Sequence, residues 1–563
     1  MAERLDALTE EWPLRPWIMA ALCAVAGLLV HLLTDQAGQD AVSASRQAAA
    51  TFVAVAALSL VVTIERLRWT WAVGFALAWA LVIAFVGWFT AGYNRGGEIA
   101  EFPFLSGIFA VLLAAPLFQT VRDEGAWRFP YGRLHSHAWT DAVIGAASLF
   151  FTGITFLLML LISGLFSLIG IDLLKDLLEE GWFGWMLAGF AFGAAFGLLR
   201  ERDRLVATLQ RLVMTVFSVL APVLAAALPL FLLSVPFTGL GKLWDSWVSA
   251  AALLLTASGG AILLANAVIG DGRQDRSGSR LLHWSALLLV LVVLPLCMLA
   301  GVAMGIRIGE YGWTPQRIWG AIAVAVGVAY GLGGWWATWR GRGDFDGHMR
   351  PLQTRLAIVL CGLALFLALP IVDFGAISAR SQVARLEAGK VTPDRFDWAA
   401  MAFDFGPDGR RRLREWARSA PTQWRGQAVA ALQAKERWGL AQQTQTATEA
   451  DAIAPRLRLL SPGLELTPDI LQRVASRRMC PREAQCGLVR MDAQRLILLV
   501  TDGEDRRLTS HVIDLSRPVQ VEVTTAPPAG TTGVDLDRAR IEVRTVPRRQ
   551  VHVDGEPVGE VFE

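Results

Sequence analysis

The chain has 563 residues, of which 54% are hydrophobic and only 18% charged, and its formal net charge is +2. An ordinary soluble domain has about 25% charged residues, so the composition argues against a wholly soluble protein. The near-neutral charge argues against a nucleic-acid partner, which would require a concentrated basic face. The apolar residues lie in blocks that end at about residue 372, and the rest of the chain is more polar.

The N-terminal segment 1–16 is polar, and no signal-peptide cleavage site follows it. Eleven apolar blocks then reach the length of about 17–25 residues that a membrane-spanning helix needs. The blocks are residues 17–34, 48–64, 70–90, 102–121, 142–170, 182–199, 212–235, 247–269, 282–305, 318–339 and 356–372. The sequence therefore predicts a mainly α-helical, polytopic membrane bundle of about 11 transmembrane helices over residues 17–372.

Basic residues are divided unequally between the segments that connect these blocks. The segments on the side of the N-terminus hold 18 Lys and Arg, whereas the loops on the other side hold 6. Cytoplasmic loops carry the excess of basic residues, so we expect residues 1–16 in the cytoplasm. An odd number of spans then places residues 373–563 outside it. The expected location is the bacterial cytoplasmic (inner) membrane, with a periplasmic C-terminal domain.

The apolar blocks themselves carry few ionisable residues. Of Asp, Glu, Lys, Arg and His, only His31 and His283 occur in them, and both are near block ends. Buried charges mark proton relays, voltage sensors and ion-coupled pumps, so these functions are not predicted.

Small residues and prolines recur at regular intervals in the blocks, and small residues at this spacing allow helices to pack closely. Prolines kink a helix, so the seventh span is expected to bend, either as a packing element or as a hinge lining a cavity. The small residues are Gly189, Gly193 and Gly197 in the sixth block and the pairs Gly301/Gly305 and Gly327/Gly331; the prolines are Pro222, Pro229 and Pro236.

The polar loop 306–317, "IRIGEYGWTPQR", lies between the ninth and tenth blocks. Thr314 followed by Pro315 predicts a helix start, with Thr as the N-cap and Pro in the first position. Two alternatives remain for the side chains of Arg307, Glu310, Tyr311 and Arg317. They pair with one another and hold the loop, or they receive a lipid phosphate, for which the planar arginine side chain is well suited.

Two further polar loops carry candidate site residues. His135 and His137 have no additional ligands at a suitable spacing, so no metal site is predicted. Asp35 and Asp40 lie in the first outer loop, where glycosyltransferases that use polyprenyl-phosphate donors keep acidic residues. That analogy is architectural only.

The C-terminal third is expected to form an extracytoplasmic α+β domain. Residues 373–440 predict a helical subdomain, and residues 441–563 predict a linker followed by a small β-rich domain with hairpins at Asp502-Gly503 and Asp554-Gly555. Cys480 and Cys486 are disulfide candidates, because the expected compartment is oxidising. No catalytic motif and no cofactor fingerprint were found.

Four segments of the chain resemble signature segments of a bacterial multi-spanning membrane family, domain-of-unknown-function family 4153. They are "GEYGWTPQRIWG", "RLHSHAWTDAVIG", "LFSLIGI" and "AISARSQVARLEAGKVTPDRFDWAAMAFDFGPDG". The resemblance covers roughly residues 100–420 and implies an integral membrane protein with no assigned reaction. Gln316 departs from the Asn expected after Thr-Pro. The positions that match the family pattern are Tyr311, Gly312, Thr314, Pro315, Arg317, Ser381, Arg385, Leu386 and Gly389.

These residues suggest that loop 306–317 docks the helix expected at 376–388, with a lipid phosphate as a further element between Arg307, Arg317 and Arg385. Three function classes follow. The first is a non-enzymatic envelope sensor or scaffold that anchors an outer domain. The second is a lipid or small-molecule transporter, or flippase. The third is a polyprenyl-phosphate-dependent glycosyltransferase-like enzyme. The expected partners are membrane lipids and an envelope protein bound through residues 373–563.

Overall fold

The computed structural model consists mostly of α-helices, followed by a small β-rich region. The residues that it describes are 12–35, 42–91, 98–238, 249–270, 279–434, 436–437, 450, 452–476, 479–481, 484–492, 494–502, 507–516, 523–525, 536, 549–553 and 556–562. Two compact units are distinguished by their internal contacts. The first comprises Met1–Val391 and Ala400–Arg425, and the second comprises Thr392–Ala399 and Gly426–Glu563.

Eleven of the described helices are long and apolar enough to cross a membrane, which confirms the predicted bundle. They are α1 (Arg15–Thr34), α2 (Ala44–Thr63), α3 (Trp69–Ala91), α4 (Glu98–Glu124), α5 (Tyr131–Ser167), α7 (Gly181–Arg200), α8 (Asp203–Thr238), α9 (Ala250–Ile269), α10 (Arg280–Tyr311), α11 (Pro315–Gly341) and α12 (Phe345–Ala368). A short helix, α6 (Leu173–Glu179), precedes α7. Several spanning helices extend beyond their apolar blocks into polar turns.

Helices α1 and α7 form the most extensive helix pair of the bundle. The stripe Gly189, Gly193 and Gly197 lies directly against the backbone of α1: a Cβ atom on Gly197 would be 2.6 Å from the Cα of Pro16. The close packing predicted for this stripe is therefore confirmed. A Cβ atom on either of the other two glycines would overlap a backbone carbonyl of α1, that of Cys23 or Met19.

Helices α8 to α12 enclose the largest buried apolar cluster. Helix α10 packs on α11, where Gly331 approaches the backbone of Leu294 so closely that a Cβ atom would be 2.7 Å from its Cα. Gly301 also faces α11: a Cβ atom on this glycine would be 3.2 Å from Cγ1 of Val324. Gly305 has no atom within 4 Å, so the expectation of helix packing was wrong at that position.

Proline interrupts the hydrogen bonding of α10 at a position where a neighbouring helix compensates. Pro295 lacks an N–H group, so the carbonyl of Leu291, four residues earlier, has no donor within its own helix. The indole Nε1–H of Trp335 on α11 donates to that carbonyl at 2.8 Å. Such compensation is the condition for a proline inside a spanning helix.

Three elements of the first unit follow the last span. They are α13 (Phe374–Glu387), a π-helical turn (Ala400–Asp404) and α14 (Gly406–Ser419). Gly389, two residues after the end of α13, has a left-handed backbone conformation with φ of 68°. Helices α13 and α14 belong to the first unit, and the domain boundary expected at 372/373 stays a prediction. Helix α15 (Thr422–Gln433) comes next.

The second unit contains a five-stranded sheet in the order β1-β2-β3-β4-β5, and a two-stranded sheet of β6 and β7. The strands are β1 (Leu457–Leu459), β2 (Gln485–Arg490), β3 (Arg495–Asp502), β4 (Arg507–Asp514), β5 (Val523–Thr525), β6 (Arg549–Val553) and β7 (Glu556–Phe562). Strands β1 and β2 are parallel, and α16 (Pro468–Ser476) lies between them in sequence.

The other strand pairs of the second unit are antiparallel. Strands β3 and β4 pair Asp502 with Arg507, and β6 and β7 pair Val553 with Glu556. Strands therefore flank both predicted hairpin turns, whose own residues Gly503, Asp554 and Gly555 lie outside the described residues.

Candidate functional site

The turn between α10 and α11 combines two helix-terminating signals. Helix α10 ends at Gly312, whose φ of 76° lies in the left-handed region that favours glycine. Helix α11 begins at Thr314, whose hydroxyl accepts a hydrogen bond from the N–H of Arg317 at 3.4 Å, and Pro315 occupies its first turn. The helix start predicted from Thr-Pro is confirmed.

Helix α13 lies against this turn and forms hydrogen bonds with its backbone. The N–H of Trp313 donates to the hydroxyl of Ser381 at 3.1 Å. Nε2 of Gln382 donates to the carbonyls of Tyr311 and Trp313 at 2.9 and 3.0 Å. Arg385 donates to the carbonyl of Gly309 at 3.2 Å and to that of Glu310. We call residues 309–317 with Ser381, Gln382 and Arg385 the C-terminal junction.

Arg317 holds the same turn from α11. Its Nη1 donates to the carbonyls of Gly312 and Tyr311 at 2.7 and 3.1 Å, and its guanidinium lies 5.5 Å from the centre of the Tyr311 ring. The last carbonyls of a helix have no partner within it and carry a partial negative charge. Arg317 and Arg385 therefore place positive charge where the C-terminal end of α10 favours it.

The junction brings together five of the seven residues singled out from the sequence. They are Tyr311, Thr314, Arg317, Ser381 and Arg385. Glu310 contributes its backbone carbonyl, and Arg307 makes none of these hydrogen bonds. Gln382 was not predicted, although it lies on the same face of α13 as Ser381 and Arg385 and bonds two carbonyls.

A pair of carboxyl groups lies at the N-terminal end of α13. Asp373 caps α13 by accepting a hydrogen bond from the N–H of Ala376 at 2.8 Å. The carboxyl of Asp408, from the first turn of α14, is within hydrogen-bonding range of Asp373, and it also forms an ion pair with Arg411. Partial burial, together with the Asp408 carboxyl, raises the pKa of Asp373. A carboxyl with a raised pKa costs folding stability as the pH rises through that pKa.

A cavity of about 40 Å³ opens next to Asp373, where the ends of α3, α4, α11 and α12 meet. Its walls include the aromatic residues Phe89, Trp319 and Phe374. The ring of Trp319 lies 5.7 Å from that of Phe374, edge to face, and is stacked at 5.5 Å on Phe102. The cavity therefore combines aromatic side chains with one acidic residue.

A second polar cluster surrounds the C-terminal end of α2. Three arginines from three other helices donate to its last carbonyls: Arg15 to Ile64 at 2.8 Å, Arg122 to Thr63 at 2.7 Å, and Arg200 to Val62. We call Arg15, Arg122 and Arg200 the arginine cluster. Each also pairs with a carboxylate, and the three carboxylates belong to Glu201, Glu65 and Asp141 respectively.

The spanning helices carry buried charge outside the apolar blocks. The side chain of Arg122 is only 1% exposed, and on α12 the pair Asp346 and Arg350 is buried at 3.2 Å. The charged residues escaped the sequence search because they lie just beyond the apolar blocks, in the polar end turns of longer helices. They cap and join helix ends, which is a structural role.

The remaining candidates from the sequence are held by local contacts. His135 lies 3.0 Å from the hydroxyl of Tyr131, and His137 lies 2.9 Å from the carboxylate of Asp123. Within the described part of the chain, no three His, Cys, Asp or Glu residues are grouped as metal ligands. Asp35 lies 3.6 Å from His31, and Asp40 lies outside the described residues. Cys480 and Cys486 form a disulfide.

An apolar groove lies between α8, α10 and α11, with a volume of about 480 Å³. Its walls are almost wholly hydrophobic, and the one indole N–H among them, that of Trp335, is already bonded to Leu291. The residues that line it are Leu232, Val235, Pro236, Leu294, Pro295, Met298, Leu299, Val302 and Trp335.

Comparison with known proteins gives one match. No curated protein and no solved structure matches the chain. The family model described as "Domain of unknown function (DUF4153)" matches residues 18–414, which include ten complete spans, most of α1, α13 and most of α14. The match thus takes in both the arginine cluster, apart from Arg15, and the C-terminal junction. The chain is an integral membrane protein that belongs to the DUF4153 family.

Proposed function

We propose that this protein spans the bacterial cytoplasmic membrane and that its helical bundle anchors an extracytoplasmic C-terminal region, as a non-enzymatic sensor or scaffold of the cell envelope. The distribution of basic residues supports the N-terminus in the cytoplasm. The disulfide between Cys480 and Cys486 is consistent with an oxidising compartment for the C-terminal region. Its partners in this proposal are membrane lipids and an envelope protein bound by residues 373–563.

The C-terminal junction is the observation that carries the proposal. It fixes α13, the first helix after the last span, to the turn that precedes α11. The polar side chains there are engaged with the backbone: Gln382, Arg317 and Arg385 donate to carbonyls, and Ser381 accepts from an N–H group. A site that activates a nucleophile needs a base within hydrogen-bond reach of it. The side chains of the junction instead form hydrogen bonds that attach α13 to the turn between α10 and α11.

The proposed orientation predicts which introduced cysteines a membrane-impermeant maleimide reaches in intact cells. Arg412→Cys on α14 should be labelled, because its exposed side chain would face the periplasm. Arg202→Cys, between α7 and α8, should react only after the cytoplasmic membrane is permeabilised. The parent chain is the control for its native thiols, because Cys361 is partly exposed whereas Cys23 and Cys297 are buried. If only Arg202→Cys, and not Arg412→Cys, were labelled in intact cells, the orientation would be the reverse of the proposed one.

A second candidate function, lipid transport, is favoured by the apolar groove between α8, α10 and α11. A volume of about 480 Å³ lies within the usual range for small-molecule sites, about 300–1,000 Å³. Its hydrophobic walls suit an acyl chain, and the groove includes Pro236 of the proline-containing helix α8. Protein-dependent transfer of a labelled lipid across proteoliposome membranes would favour this candidate over the first.

A further inference from the structure

The cavity beside Asp373 has the wall composition of a cation site. Phe89, Trp319 and Phe374 present aromatic side chains, and the rest of the wall is mainly aliphatic and proline residues. The faces of aromatic rings attract cations through their quadrupole, and they do so most strongly where water is excluded. Trp319 is held in place between Phe102 and Phe374, so this wall is fixed by ring packing.

The charges around the cavity also favour a cation. Asp373 lines the cavity, and the Asp408 carboxyl lies next to it. The only ion pair that the described residues make with these two carboxylates is that of Arg411 with Asp408, and the Arg411 side chain is 68% exposed. The backbone N–H groups of Gly375 and Ala376 also donate hydrogen bonds to Asp373, and Thr90 is a polar residue of the wall. When both carboxyl groups are ionised, they and the one solvent-exposed guanidinium carry a net negative charge.

We propose that this cavity binds a primary ammonium group, carried by an ethanolamine-type lipid headgroup or by a free small amine. The size of the cavity supports a small occupant. A volume of about 40 Å³ admits a small group, because about 10–15 Å³ is enough for one water. A primary ammonium has N–H groups that can donate to the carboxylate of Asp373, whereas a trimethylammonium group has none. Magnesium and calcium ions require six or more oxygen ligands, and this wall is mainly apolar.

The cavity lies where a lipid headgroup could reach it. Four spanning helices, α3, α4, α11 and α12, all contribute residues from their end turns. Tryptophan is enriched at the membrane–water interface, and Trp319 stands in the second turn of α11. The recognition chemistry is the same for a lipid and for a free amine, so the experiment must separate these two sources.

The test uses the purified full-length protein and native mass spectrometry with equal amounts of phosphatidylethanolamine, phosphatidylcholine and phosphatidylglycerol. We expect preferential retention of phosphatidylethanolamine by the wild type. Asp373→Asn should reduce the preference about tenfold, which corresponds to about 1.4 kcal/mol, and asparagine still caps α13. Trp319→Leu should have a similar effect. Trp339→Leu is the matched control, because Trp339 is an exposed ring near the other end of α11.

Calorimetric titration with ethylammonium distinguishes a lipid headgroup from a free small amine as the source of the bound ammonium group. Binding of ethylammonium, lost in Asp373→Asn, identifies a free amine as a competent ligand, whereas retention of phosphatidylethanolamine alone identifies the lipid headgroup. Because the site needs ionised carboxylates, either affinity should fall as the pH is lowered through the raised pKa of Asp373. Equal retention of the three lipids with no ethylammonium binding would overturn the proposal. An unchanged preference for phosphatidylethanolamine in Asp373→Asn would also overturn the proposal. This variant gives a result even if Trp319→Leu does not fold.

Discussion

Replacing Gly193 by leucine is expected to abolish the packing of α1 on α7 and to leave little folded protein. A Cβ atom at this position would overlap the backbone carbonyl of Met19, and the backbone of a helix cannot move aside as a flexible side chain does. Overpacking a well-filled site costs typically about 1–3 kcal/mol. With two helix backbones in contact, we expect a cost of about 3 kcal/mol or more. The measurement is the thermal midpoint and the monodisperse yield after detergent extraction.

The matched control for Gly193→Leu is Gly184→Leu on the same helix. A Cβ atom on Gly184 meets no atom within 4 Å, so its side chain has open space. The control variant should keep the wild-type yield and thermal midpoint. Gly193→Ala should fall between the two, because it adds only the Cβ atom. If Gly193→Leu were as stable as Gly184→Leu, the described α1–α7 interface would be contradicted.

Replacing Arg122 by methionine is expected to destabilise the bundle by about 3–5 kcal/mol, the usual result of removing one partner of a buried ion pair. Arg122 donates to the Thr63 carbonyl at 2.7 Å and pairs with the carboxylates of Glu65 and Asp123. Its removal leaves these acceptors without their cation at the C-terminal end of α2. Thermal unfolding of the purified variant measures the loss.

Arg133→Met is the control for burial, because it removes an arginine from an exposed ion pair. Arg133 also pairs with a carboxylate, that of Glu124, but its side chain is 54% exposed. Exposed ion pairs contribute about 0–1 kcal/mol, so this variant should unfold close to the wild-type temperature. Equal destabilisation by the two substitutions would mean that burial of Arg122 does not determine its contribution.

The elements predicted from the sequence are those set by local patterns. Block length gave the eleven spans, Thr314-Pro315 gave the start of α11, and glycine spacing gave the α7 face that meets α1. Each depends on residues that are close together in the chain. Each also has one physical cause: bilayer thickness for the spans, helix capping for the start of α11, and close backbone approach for the glycine face of α7.

The polar contacts could be predicted only in part, because they depend on which helix ends meet. The sequence shows Arg122 and Arg200 as loop residues at the ends of different apolar blocks, and their common target, the end of α2, appears only in the folded chain. Asp373 and Asp408 likewise come together only when α14 packs on α13. Gln382 carries no charge to distinguish it, although it forms two hydrogen bonds in the C-terminal junction.

Hydrogen exchange is the direct test of whether the C-terminal junction holds the first helix after the last span. The variant Gln382→Leu/Arg385→Met removes four side-chain hydrogen bonds to the α10–α11 turn, each contributing about 0.5–1.5 kcal/mol or more. Arg380→Met is the control, because Arg380 is exposed and bonds only within α13.

In lipid nanodiscs, we expect amides of α13 to exchange at least about tenfold faster in the double variant than in the wild type, since 1.4 kcal/mol corresponds to a factor of about ten. The spanning helices and the Arg380→Met variant should exchange as the wild type does. Unchanged protection of α13 in the double variant would contradict the claim that this junction anchors the region beyond the bundle.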